Sequence, residues 1–334
     1  MPVLVLLIIS LFIGPYAQAT TLSSIVDELS LGALESTFDA MKVESLLDGS
    51  GKQLTMSERR SAAVLVSAGI LRPSDVDDES SVITAFERFK LASIAKNDHL
   101  MGPFGDAVTL SRLDKIGDHQ ELLKEKSFIN SLHELLSKGV ITGYDLRKAN
   151  ISAGFDPRRT LTYSHSSVVH LKQLNALLKS ENINGLLYAA PKISAFLFRD
   201  EWGVPGDNVA TLKDGTRVVN GREWVVFFEF DTAAAKHDFH QVVTRYAKKD
   251  DENEQGLIAD SWWQPFYYSE TNIEGFEHIN LILLRSDTTE ATLTVLRDKV
   301  ESVTAALSDQ SLDMTIEDVW VNKPFYRFLQ GGYK

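Results

Sequence analysis

Hydrophobic and polar positions alternate most regularly in the last third of the chain, between residues 223 and 321. The segment 223–231 (EWVVFFEFD) puts Trp224, Val226, Phe228 and Phe230 on one side of an extended strand, and Val225 and Phe227 on the other. The segment 278–286 is also apolar on both faces, with Ile282 and Leu284 opposite Ile279, Leu281 and Leu283. Between them Ala235, Phe239, Val242, Val243 and Tyr246 recur at steps of three and four, which predicts one face of an amphipathic helix. Asp287 followed by Glu290 predicts a capping box, and Leu293, Leu296, Val300, Val303 and Leu307 predict the stripe of the helix it opens. Residues 264–269 and 312–321 are more mixed and read as edge strands.

Strands buried on both faces belong in the middle of a sheet, because its edges meet water. The resulting order β-α-β-β-α-β, with first and third strands central, resembles the ferredoxin-like arrangement. That superfold hosts many unrelated functions and names none of them. The predicted class is α+β, an all-helical N-terminal part followed by an antiparallel ferredoxin-like sheet domain. Hairpins at Asp214-Gly215 and Asn220-Gly221 would extend that sheet. Pro191 predicts a break in the apolar stretch 185–199, giving two strands, and 143–147 reads as the start of a short helix. A helix over 166–180 would carry Leu171, Leu174, Leu177 and Leu178 on one face. The domain map is a signal peptide at 1–19, a helical lead-in and linker at 20–54, a helical domain at 55–156 and an α+β domain at 157–334.

Within the helical part, a pattern of turns and apolar positions is similar to a known family. Gly69-Ile70-Leu71 closes one helix, Val82, Ala85-Phe86 and Phe89 follow, and Gly102, Phe104-Gly105, Thr109 and Leu113 complete the pattern. Over residues 55–116 this resembles the peptidoglycan-binding-like three-helix domain. Glu87 stands where the family usually has Gln, Met101 where it has Asp, and one extra residue separates Gly105 from Thr109. The resemblance implies a three-helix fold and, as partner, peptidoglycan or another envelope glycan.

The N-terminus changes the picture of where the chain works. An eleven-residue apolar run, 3–13, precedes Gly14-Pro15 and the small-x-small pattern Ala17-Gln18-Ala19. This predicts an export signal cut after Ala19, too short to serve as a membrane span. The expected location is periplasmic or secreted, with no stable membrane anchor after cleavage. The chain has no Cys, so lipid attachment through that residue and stabilisation by disulfides are both excluded. With 34 basic and 46 acidic residues the net charge is −12, which repels phosphate backbones and makes nucleic acid an unfavourable partner.

Motif chemistry is mostly excluded. Without Cys there is no thiolate nucleophile, and no H-E-x-x-H, G-x-S-x-G or Walker A pattern occurs. No cofactor is expected. His237 and His240, one helical turn apart, are weak candidate metal ligands, because both lie off the apolar stripe, where a solvated face accounts for them, and a metal site needs three or four converging ligands. His170, on an apolar helix face, predicts a buried, hydrogen-bonded imidazole. Glu229 predicts an ion pair with Arg or Lys, and Asp231 a helix N-cap. The aromatic stretch 262–268 supplies the candidate ligand-binding residues Trp262, Trp263, Tyr267 and Tyr268, because sugar rings stack on flat aromatic faces. Only alternate residues of a strand share a face, so about half could line one groove. The function expected from these features is an exported, non-catalytic envelope-binding protein. Two alternatives stand beside it: an exported hydrolase with a carboxylate and histidine site, and a module that dimerises through the open face of its sheet.

Overall fold

The computed structural model describes residues 22–92, 99–117, 119–149, 151, 153–246, 258–259, 266–308 and 313–332. Side chains of 88–92 are excepted. In chain order the elements begin with α1 (Leu22–Glu28), α2 (Ala40–Leu47), α3 (Met56–Ser67), α4 (Glu79–Ala92), β1 (Leu100–Pro103), α5 (Ala107–Leu113) and α6 (Lys126–Ser137). There follow β2 (Gly143–Lys148), β3 (Thr160–His165), α7 (Val168–Ser180), β4 (Gly185–Leu197), β5 (Val209–Thr211), β6 (Arg217–Phe230) and α8 (Ala233–Tyr246). The chain continues through β7 (Tyr267–Ser269), β8 (Glu277–Arg285), β9 (Thr289–Val295), α9 (Val300–Leu307), β10 (Asp313–Val321) and α10 (Lys323–Leu329). Among the described residues no helix is long and apolar enough to cross a membrane.

The protein is α+β, but its sheet is not ferredoxin-like. Strands run β4-β2-β9-β8-β10-β7-β3-β6, and β6 pairs back to β4, closing an eight-stranded antiparallel barrel. The β1 strand adds to β4 and β5 adds to β6 outside the ring. Closure comes from the long β4–β6 ladder, which runs from Gly185↔Phe230 to Leu197↔Val218. A strand apolar on both sides satisfies a closed barrel as well as the middle of an open sheet, because the second face turns inward rather than meeting another layer. Among the described residues the closed barrel takes the place of the open ferredoxin-like sheet face through which dimerisation was expected.

Several local expectations change for physical reasons. The predicted helix from residue 290 is strand β9 up to Val295, since the β-branched alternation T-E-A-T-L-T-V fits a pleated surface. Asp287 lies in the β8–β9 hairpin, where the Ser286 amide donates to the Thr289 carbonyl at 2.8 Å, and no capping box forms there. Residues 143–148 form β2 rather than a helix. Pro191 does not interrupt β4: on one side β1 ends its pairing at Ala189 and β2 begins at Lys192, so the proline falls where that edge has no neighbour. Asp214-Gly215 makes the β5–β6 hairpin, with Gly215 at φ +90°, whereas Asn220-Gly221 lies within β6. Thr55 caps α3, in a reciprocal capping box with Glu58. Thr232, not Asp231, accepts a free amide at the start of α8, that of Ala235 at 3.1 Å.

Two helical layers cover much of the barrel's outside. Trp224, Val226, Phe228 and Phe230 of β6 face outward into a core that includes α7, α8 and the N-terminal helices. Leu171, Leu174, Leu177 and Leu178 of α7 lie in this core. On another side α6 and α9 pack over Leu146, Ile282, Leu284, Ala291 and Leu293. The window 55–116 holds α3, α4 and α5, with β1 between the last two joining the barrel wall. Glu229 pairs with Arg159 at 2.8 Å, and His170 is buried, accepting from the Tyr163 hydroxyl at 2.8 Å and donating through Nδ1 to the Ala259 carbonyl at 2.9 Å.

Candidate ligand site inside the barrel

Alternation along the strands decides what the barrel contains. On β2 Tyr144 and Leu146 face the outer helices while Asp145 and Arg147 point inward. On β4 the inward residues include Lys192, Ser194 and Phe196; on β6, Gly221, Glu223 and Val225; on β9, Glu290, Thr292 and Thr294. Register stacks them in layers. Arg147 lies opposite Lys192 and Glu290, and Lys192 opposite Glu223, forming one charged layer. Asp145, opposite Ser194 and Thr292, sits one layer higher, and Gly143 with Phe196 one layer above that.

Above and within these layers lies a cavity of about 560 Å³. Its charged layer is a network of ion pairs. Lys192 Nζ is 2.9 Å from Asp145 Oδ2 and 3.0 Å from Glu223 Oε2, and the Ser194 hydroxyl donates to Glu223 Oε1 at 3.0 Å. Arg147 is held by Glu290, whose other oxygen accepts from Arg285 at 2.6 Å. Gly221 makes room for this arrangement: a Cβ there would stand 2.5 Å from Ser194 Oγ and 3.0 Å from Glu223 Oε1.

Burial and charge act in opposite directions on these groups. Burial alone would depress Lys192, but Asp145 and Glu223 outweigh it and keep the ammonium firmly protonated. Burial would raise Glu223, yet the Lys192 charge and hydrogen bonds hold it below the ordinary carboxylate range. Asp145 goes the other way. Burial raises it, Glu223 adds repulsion, and its share of Lys192 does not compensate. Although deep in the protein, Asp145 leaves 37% of its side-chain surface open, against 8% for Lys192 and 19% for Glu223. That open surface faces the cavity.

The mouth is aromatic. Phe196 and Phe198 meet Trp202 edge-on at 5.7 and 5.9 Å. The C-terminal helix α10 lies across the opening, its Phe325 ring stacked on Phe266 at 5.0 Å and Phe328 at 5.2 Å from the same ring. His165 lines the wall and stacks on His170 at 3.8 Å. Its Nδ1 accepts the Ser167 amide at 2.9 Å, so that nitrogen carries no proton.

The residues singled out from the sequence are only partly here. Tyr268 points into the cavity, where burial raises its hydroxyl against the opposing charge of Arg147. Tyr267 points outward and is buried against Phe239 and Phe276. Trp262 and Trp263 lie outside the described residues. His240 Nδ1 shares a hydrogen bond with the Tyr267 hydroxyl, while His237 is exposed. Among the described residues no three His, Asp or Glu side chains gather closely enough to hold a metal ion. Asp145, Arg147, Lys192 and Glu223 were not among the sequence-derived candidates. Their signal was present as charges alternating with aliphatic residues inside strands, D-L-R on β2 and K-I-S on β4. Comparison of the chain with protein-family models, curated proteins and solved structures finds no match.

Proposed function

We propose that this protein binds a small amphipathic molecule inside its barrel, polar end toward Asp145 and apolar body among the aromatic rings at the mouth. The observation that carries this reading is a cavity of about 560 Å³ with a charged layer at one end and six aromatic side chains near the other: Phe196, Phe198, Trp202, Phe266, Phe325 and Phe328. Ligand sites are typically about 300–1,000 Å³, mostly apolar, with a few convergent polar groups. Eight-stranded barrels have an interior suited to one small ligand. A binding role agrees with the absence of nucleophile motifs, and export remains a proposal resting on the apolar run 3–13. The test is titration with the uncharged fluorophore N-phenyl-1-naphthylamine. The expected result is saturable enhancement that Thr294→Trp, which fills the cavity from β9, abolishes while the protein stays folded. Equal enhancement by the variant would place the dye elsewhere and remove the reading.

A second reading is favoured by one geometric observation: Asp145 and Glu223 flank the single Lys192 ammonium at 2.9 and 3.0 Å beside the cavity. Two carboxylates in unequal surroundings, one 37% and the other 19% open, suit proton donor and acceptor roles. On this reading the cavity performs acid–base chemistry on its ligand. It predicts turnover lost in both Asp145→Asn and Glu223→Gln, whereas pure binding predicts that no bound molecule is altered.

A further inference from the structure

We infer that the ligand's polar end is a cation, an amine on an aromatic or aliphatic body, and that Asp145 is the carboxylate that receives it. This inference rests on the reading of the barrel interior as a ligand site.

The argument begins with which charges are free. Lys192 is a single cation shared between two carboxylates, and only 8% of its side chain is open. Arg147 is committed to Glu290 and lies 5.7 Å over the Phe227 ring, at the lower end of the cavity. Both line the cavity, but each already has carboxylate partners. Asp145 lies one layer nearer the mouth and is the most open of the ion-pair network's inward-facing charges. Its Oδ2 is engaged by Lys192, while 37% of the side chain stays open beside the cavity. A ligand N–H placed against that open face would make a charge-assisted hydrogen bond to a carboxylate that shares its lysine with Glu223.

The walls favour the same class. Aromatic faces attract cations through their quadrupoles, most strongly when desolvated. The mouth cluster already shows this preference: the Arg217 guanidinium lies 4.7 Å over the Phe198 ring, whose edge contact is Trp202. The net charge of −12 would also draw a cation toward the protein and repel an anion.

Three indoles of matched shape test the inference by calorimetric titration of the full chain: tryptamine, tryptophol and indole-3-acetate. Tryptamine is expected to bind at least about tenfold more tightly than the other two, the range of one charge-assisted contact with a cation–π contribution. Asp145→Asn is expected to erase that preference, and Asp145→Glu to keep it. Tryptophol or indole-3-acetate binding as tightly as tryptamine would overturn the inference, as would an Asn variant that keeps the preference. If the Asn variant does not fold, the ranking on the unmodified chain decides alone. Binding of N-phenyl-1-naphthylamine without tryptamine would sink the cation assignment and leave the ligand site standing. Failure of the dye and every indole would remove both.

Discussion

Lys192 and Glu223 face each other directly across the β4–β6 ladder, and their charged ends meet at 3.0 Å inside the barrel. That ladder is the one that closes the ring, so the pair sits at the seam. It couples the fold to the candidate site in a single contact.

Removing one partner of a buried ion pair strands the other charge. Lys192→Met leaves Asp145 and Glu223 facing each other without a cation, and a loss of about 3–5 kcal/mol is expected in urea denaturation. Combining it with Asp145→Asn and Glu223→Gln should recover most of that loss. A triple variant no more stable than the single one would show that packing of the lysine stem, not its charge, matters.

Gly221 is where backbone and chemistry meet. Gly221→Ala puts a methyl against Ser194 Oγ and Glu223 Oε1, and should cost about 1–3 kcal/mol through overpacking. Ser194→Ala in the same chain removes the clashing hydroxyl, so the double variant should lose less than the sum of the two singles. Simple additivity in thermal unfolding would contradict the predicted contact.

The helix across the mouth is held by the Phe266–Phe325 stack. Replacing Phe325 and Phe328 together by Ala should loosen α10 and raise the dissociation rate of N-phenyl-1-naphthylamine by about tenfold, with a smaller change in its association rate. Stopped-flow dilution measures both. An unchanged dissociation rate would mean that ligand leaves by another route.

Stability should fall in mild acid. Burial holds both His240 and His133 below the ordinary imidazole value of 6.5. The unfolded chain therefore takes up protons near pH 6.5 that the folded chain resists. Their contribution is complete above pH 6.5 and is lost as pH drops through the window between 6.5 and the lowered folded values. His240→Gln, which cannot titrate, should show a shallower decline between pH 7 and 5 when unfolding midpoints are compared.

Much of the local structure was legible in the sequence. The alternation in 223–230 assigned Trp224, Val226, Phe228 and Phe230 to one face and Val225 and Phe227 to the other, and the structure keeps that division. The stripe of Phe239, Val242 and Val243 is the buried face of α8. Helical spacing and strand spacing are properties of consecutive residues, so neighbours along the chain suffice to specify them. The misreading of 289–295 shows the limit: Leu293, Leu296 and Val300 keep a helical spacing by coincidence across a strand and the turn after it.

Closure was decided elsewhere. A period of two says which residues share a face, not whether the second face meets another layer or its own sheet curled round. That choice depends on residues 185–197 finding residues 217–230 and on β2 lying between β4 and β9. Such pairings between distant segments leave no mark in local spacing. The candidate site follows the same rule. Asp145, Lys192, Glu223 and Glu290 are scattered over 146 positions, and only the ring brings their side chains into one interior. Each charge was visible as an interruption in an apolar strand; its partners became visible only when the barrel closed around them.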